Sequence, residues 1–200
     1  MPAPSTRRIL ASDIPPTPWK NGGGVTREIA TGGAAGPDAG WGWRVSLAEV
    51  AQDGPFSSFP EVDRTIAVIA GAAMDLVRAD GSTLALEPFQ PVSFAGEEAL
   101  SGRLRGGPVR DLNVMVRRGR YTAEMDFLRG PCNAARTTGA GDCLLILSLA
   151  GRPSARVNGA PPLALVTGEI LVHQGQGSIE VALADGAQAA LIRIDRRRKG

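Results

Sequence analysis

Residues 65–96 read TIAVIAGAAMDLVRADGSTLALEPFQPVSFAG, and residues 144–175 read LLILSLAGRPSARVNGAPPLALVTGEILVHQG. Laid over one another at a separation of about 79 residues, the two stretches run through the same order of events. An apolar run ends in Ala-Gly and a short β-rich segment follows. Then comes Asp80-Gly81 in one and Asn158-Gly159 in the other. Both dipeptides suit a two-residue type I′ hairpin turn, which needs positive φ at its two central residues. Each stretch continues with Leu-Ala-Leu, at 84–86 and 163–165, then a turn containing Pro or Gly, and a last strand closing on Gly96 or Gly175. One such match could arise by chance; the ordered series points to a duplicated β unit.

The rest of the chain extends that pattern. No window of a dozen residues keeps a helical period without Gly or Pro intruding. Short β-rich segments are frequent instead: VTREI (25–29), WRVSL (43–47), DLNVMV (111–116), SIEVAL (178–183) and AALIRI (189–194) lie outside the repeat or overlap its edge. Short strands at close spacing with turn signals between them predict an all-β fold of sandwiches or barrels. At the same separation DLNVMV falls opposite ALIRID (190–195), which sets Asp111 against Ala190 and Asn113 against Ile192. The expectation is two similar β-barrels packed together, residues 1–120 and 121–200.

Composition narrows the function classes. A chain of 200 residues with 43% hydrophobic content can bury a good core, and 26 Gly with 15 Pro fits many turns. The net charge of +2 has a local source: of 22 basic residues, Arg196, Arg197, Arg198 and Lys199 sit at the end, leaving 18 against 20 acidic. No aromatic residue accompanies that basic end, so no nucleic-acid partner is expected. The first 20 residues hold no apolar run long enough for a signal peptide or a membrane span. Cys132 and Cys143 lack CxxC spacing and read as free thiols of a cytoplasmic protein. With His173 as the single histidine, no metal and no other cofactor is expected.

PWKNGGGVTREI (18–29) raises the question of a ligand cradle. A Walker loop places its lysine after the glycines and a helix after that; here Lys20 precedes them and a strand follows. The glycines either supply positive φ at a strand entry or let backbone and ligand come close. Strand alternation gives further candidates. Thr26 and Glu28 share one face of VTREI, Arg44 and Ser46 one face of WRVSL, and Asp111, Asn113 and Met115 one face of DLNVMV. Those faces look either at water or, since the duplicate strand is apolar at 190 and 192, into a polar lumen. Arg64 follows GPFSSFPEVD (54–63), a loop whose Phe56 and Phe59 suggest aromatic packing; it either pairs with Asp63 or Glu61 or grips a carboxylate with its planar fork. No G-x-S-x-G occurs, and His173 falls opposite Phe94 in the other repeat.

PWKNGGGVTREI, WRVSLAEV, DGPFSSFPEVDR and RDLNVMVRRG, in that order, resemble the HutD/Ves family of bacterial proteins, over roughly residues 10–120 by motif and beyond by strand pattern. At Glu61 that family more usually has glycine. The resemblance implies a bicupin, two cupin-like barrels in one chain, without the histidines through which many cupins hold a metal. It also implies an association with histidine utilisation and, for HutD proteins, binding of an intermediate such as N-formylglutamate in a regulatory role.

The expected ligand is therefore a small anionic metabolite in the first barrel. Lys20, Asn21, Gly22 and Gly23 would line its mouth, and Arg44, Arg64 and Asn113 would hold the acid beside Ser46 and Asp111. The alternative is a metal-independent isomerase, hydrolase or lyase acting on a related acid, with Asp111 or Glu28 carrying a proton. A homodimer is compatible with either reading.

Overall fold

The computed structural model of the protein describes residues 3–33 and 40–197; Arg198 and Lys199 of the basic end lie outside them. Helix is confined, among the described residues, to one 3-10 turn at Ala11–Asp13. No helix there is long and apolar enough to cross a membrane. The chain divides into two compact units, one spanning Pro15–Tyr121 and the other built from residues up to Ile14 and from Thr122 onward.

After β1 (Ser5–Leu10), which pairs in the other unit, ten strands among the described residues form the Pro15–Tyr121 unit. They are β2 (Thr17–Pro18), β3 (Gly24–Gly32), β4 (Trp43–Val50), β5 (Gly54–Pro55), β6 (Val62–Ala70), β7 (Met74–Arg78), β8 (Thr83–Leu86), β9 (Val92–Ala95), β10 (Leu100–Leu104) and β11 (Val109–Arg117). One six-stranded sheet runs β2-β3-β4-β11-β6-β9 and a four-stranded sheet runs β5-β10-β7-β8. Ile66 and Val68 of the first sheet meet Met74, Leu76, Leu86 and Leu100 of the second, with Val50, Val109 and Phe94 completing the core.

The other unit repeats the plan. It uses β12 (Tyr121–Arg129), β13 (Cys132–Thr138), β14 (Cys143–Ala150), β15 (Ser154–Val157), β16 (Leu163–Ala164), β17 (Glu169–Gln174), β18 (Gly177–Leu183) and β19 (Gln188–Arg196). Its sheets are β1-β17-β14-β19-β12 and β13-β18-β15-β16. The apolar core between them is built from Leu144, Ile146, Leu171, Leu191, Ile179, Val181 and their neighbours, with buried Ser148 beside Ala189 as a polar member.

Two expectations need correction. A cut at 120/121 misassigns the first residues, because Ser5–Leu10 pairs antiparallel with Glu169–Gln174 from Ser5↔Gln174 to Leu10↔Glu169. Thr6 and Arg8 then bond His173 and Glu169 side chains at 2.8 and 2.7 Å. The assumed counterparts of Asp111 and Asn113 are also off by one. Both units carry a bulge at the same place, where Ala70↔Arg110 gives way to Val68↔Asp111 and Ala150↔Gln188 to Ser148↔Ala189. Asp111 therefore corresponds to Ala189, Asn113 to Leu191 and Arg64 to Leu144. The separation is 80 on one strand and 78 on its partner, so no single offset aligns both. The positions that match Asp111, Asn113 and Arg64 are apolar in the duplicate all the same.

Candidate functional site

Cross-strand register places one polar set on the inner face of the six-stranded sheet. Directly opposed residues lie side by side on the same face. Val50 and Val109 form the apolar base. Ala48, Asp111 and Val68 make the next row, and Glu28, Ser46, Asn113 and Ile66 the one above. Arg44, Met115, Arg64 and Phe94 make the last. Since Ile66, Val68 and Phe94 belong to the core between the sheets, their row partners point inward with them: Asn113 and Ser46 beside Ile66, Asp111 beside Val68 and Arg64 beside Phe94. All four are buried, at 9, 2, 2 and 5% exposure respectively. Leu112 and Val114 on the opposite face are buried too, so these strands do not present a wet polar side.

Three of these side chains are held short of partners. Arg64 Nε, Asp111 Oδ1 and Asn113 Oδ1 are buried without a hydrogen bond among the described residues. Each such group costs roughly 1–3 kcal/mol of lost hydration, so something polar fits there. Arg64 is positioned by aromatic rings: Phe94, Phe56 and Phe59 stack at 5.0, 5.3 and 5.6 Å from its guanidinium carbon. Its Nη1 makes a long polar contact, donating to the Ser57 carbonyl at 3.4 Å. Asp63 is taken instead by Arg118, at 2.6 Å, so the surface pairing expected as the alternative for Arg64 is replaced. Arg44 is half-buried and donates from Nε to Glu28 at 2.9 Å.

Electrostatics tie the set together. Burial pulls the Arg64 guanidinium down to about 10, with the Asp111 charge opposing and the Arg44 charge adding. Burial pushes the Asp111 carboxyl up to about 7, against the pull of Arg64. Arg64 and Asp111 nevertheless form no ion pair; each is close enough to feel the other and too far to neutralise it.

The glycine turn is a structural element. Gly22 has φ +71°; its N–H donates to the Trp19 carbonyl at 3.0 Å, and the Gly23 N–H donates to Asn21 Oδ1 at 3.1 Å. A Cβ on Gly24 would lie 2.3 Å from the Glu49 carbonyl and 3.1 Å from the Trp19 ring. The amides of Gly22 and Gly23, expected at the mouth of a ligand site with Asn21, thus bond within the turn together with Asn21 Oδ1, while Trp19 packs on the core and donates to Thr26 Oγ1 at 2.8 Å. Lys20 is exposed beside this turn. Phe94 and Trp19 are contributors that sequence reading missed. The register Arg64↔Phe94 holds the only signal for the first, and it is not local.

The lumen does not suit the metal that many cupins carry. Among the described residues no three His, Cys, Asp or Glu side chains converge. The inner face offers one carboxylate and one amide beside a buried guanidinium, which repels a cation. His173 lies in the other unit, buried, with Nδ1 against Thr6 Oγ1 and its pKa lowered by burial.

The sequence profile of the HutD family matches residues 11–191. The chain belongs to the HutD family. It is 39% identical over 122 residues to an uncharacterized 21.2 kDa protein of the hutC 3′ region of Pseudomonas putida, covering 61% of this chain and 64% of that protein. It is 38% identical over 113 residues to protein Ves of Citrobacter koseri, covering 56% and 58%. The chain thus matches less than two thirds of either relative's length. HutD from Pseudomonas fluorescens SBW25, solved in a formate condition, superposes with a TM-score of 0.81 at 32% identity, over 97% of this chain and 100% of that one. Oxalate decarboxylase of Lactobacillus farciminis, at 8% identity and a TM-score of 0.62 over 94% and 85%, shares the bicupin fold alone. The two similar β units expected from the repeat and the bicupin that the resemblance implies therefore stand, and in this HutD-family chain Arg64, Asp111 and Asn113 lie within one of the two units.

Proposed function

We propose that this HutD-family protein binds a small carboxylate metabolite in the lumen of its Pro15–Tyr121 barrel, in a regulatory rather than a catalytic role. The observation that carries the reading is the buried trio Arg64, Asp111 and Asn113, each with an unpaired polar atom on one inner face. A guanidinium fixed by three rings presents a planar fork to a carboxylate. Ser46 and Asn113 stand in the same row to serve the polar substituent. The formate condition of the Pseudomonas fluorescens HutD structure and the hutC neighbourhood of the Pseudomonas putida relative favour a carboxylate intermediate of histidine degradation, such as N-formylglutamate. The protein would act in the cytoplasm, where that intermediate is made.

Thermal shift with formate, acetate, N-formylglutamate, formiminoglutamate, urocanate and glutamate tests this. A ligand at about 100 times its dissociation constant stabilises by about 2.7 kcal/mol, and Arg64→Ala abolishes the shift. Absence of a shift with every carboxylate, in folded protein, refutes the reading. One observation supports the enzymatic alternative: a buried carboxyl held near neutrality, as Asp111 is, can carry a proton. Incubation with the same acids followed by mass spectrometry separates turnover from binding.

A further inference from the structure

The charges facing the lumen sum to zero before any ligand arrives. Buried Arg64 comes from β6 and buried Asp111 from β11, while Arg44 of β4 and the exposed Glu28 of β3 pair with each other at 2.9 Å at the edge of the site. Across the lumen, β7, β8 and β10 contribute Met74, Leu76, Leu86 and Leu100, which carry no charge. An incoming carboxylate would leave this water-poor space with a net charge of −1. It would also set a second carboxylate near Asp111, whose Oδ1 has no donor. Two buried carboxylates that approach one another cannot both stay ionised; one holds a proton shared with the other. We propose, resting on the carboxylate reading above, that the site takes up its anion together with one proton, shared between the ligand carboxylate and the Asp111 carboxyl. Arg64 and Arg44 face the charge that remains, and Asn113 stands between them and Asp111 on the same strand face.

Burial prepares Asp111 for this role, since its carboxyl already titrates at about 7 in the free protein. A neighbouring carboxylate raises it further. Arg64 pulls the other way but makes no ion pair with it, so the proton is retained.

The test uses the whole chain and sodium acetate as the probe. In a weakly buffered pH-stat titration at pH 8, close to one proton is taken up per acetate bound. Acetate affinity is nearly constant well below pH 7 and falls about tenfold for each pH unit above 8. Asp111→Asn, whose amide donates in place of the shared proton, binds acetate about tenfold more tightly than the wild type at pH 8, with no proton uptake and no pH dependence from 6 to 9. If acetate binds the wild-type protein without proton uptake at pH 8, this inference is overturned and the carboxylate reading survives. If acetate and all the larger acids fail to bind at any pH between 5 and 9, both fall. The wild-type titration decides the question even if the Asn variant does not fold.

Discussion

Asp111→Asn in the absence of ligand offers a stringent check on the buried-lumen argument. In the folded chain the Asp111 carboxyl sits at about 7, raised chiefly by burial; in the unfolded chain an aspartate titrates near ~3.9. The folded state therefore holds more protons between those values, and the stability this group supports is full below about 4 and is lost as pH rises toward 7. At about 1.4 kcal/mol per pH unit, the stretch from pH 5 to 7 costs the wild type about 3 kcal/mol, with nothing further above 8. The carboxamide does not titrate and escapes that loss. His173 contributes with the opposite sign, because its lowered pKa adds stability as pH rises toward ~6.5. It is present in both proteins and cancels in the difference. Trp19, Trp41 and Trp43 all lie in the Pro15–Tyr121 unit, so tryptophan fluorescence during urea unfolding reports on the unit that contains Asp111. With a urea dependence of about 2 kcal/mol/M, the wild-type midpoint drops relative to the variant by about 1–2 M between pH 5 and pH 8. Midpoint curves that run parallel within about 0.3 M across that range would show that Asp111 is solvated or already neutralised, and the electrostatic account of the lumen would be wrong.

Four further outcomes follow from the geometry. Phe59→Leu removes one of the rings that hold the Arg64 guanidinium and weakens carboxylate affinity about threefold to tenfold, read by isothermal titration with acetate, while the protein stays folded. Glu61 adopts φ +59°, so Glu61→Gly raises stability by about 0.5–1 kcal/mol in urea melts; Gly24→Ala, whose Cβ would press on the Glu49 carbonyl, lowers it by about 2 kcal/mol or more. Cys143 is fully buried with its thiol pKa pushed up by burial, and Cys132 is half-buried, so a thiol reagent titrates one cysteine in native protein and both in denaturant.

Much of the fold is readable along the chain because strand formation is partly a local matter. VTREI, WRVSL, TIAVIA and DLNVMV fall within strands, as do CLLILSL, SARV, EILVH, SIEVAL and AALIRI, and MDLVRA does so up to Arg78. Asp80-Gly81 and Asn158-Gly159 sit between strand pairs, with positive φ at Gly81, Asn158 and Gly159. The unread strands are the ones whose composition is ambiguous. Leu100–Leu104 carries Gly102 and two polar residues, and Cys132–Thr138 alternates small and polar groups. Ser5–Leu10 holds two arginines and becomes a strand by pairing with residues about 160 positions away. Glu61, where the resemblance led us to expect glycine, adopts a left-handed backbone at φ +59°, a conformation that glycine takes without strain.

Alternation along β4, β6 and β11 determines that Arg44 groups with Ser46, Arg64 with Ile66, and Asp111 with Asn113, because side chains of a strand alternate in direction whatever surrounds it. Tertiary structure decides which of the two faces is the interior, since that choice depends on where Met74, Leu76, Leu86 and Leu100 come to lie, and no local preference encodes it. It also decides the one-residue shift that makes Ala189 and Leu191 the counterparts of Asp111 and Asn113, because a bulge is defined only by two strands held together. The turn at Asn21, Gly22 and Gly23 shows the same division. Its glycines are evident in the chain, but their amides bond within the turn while a Trp19 ring packs beside Gly24, and only the packed barrel brings those groups together.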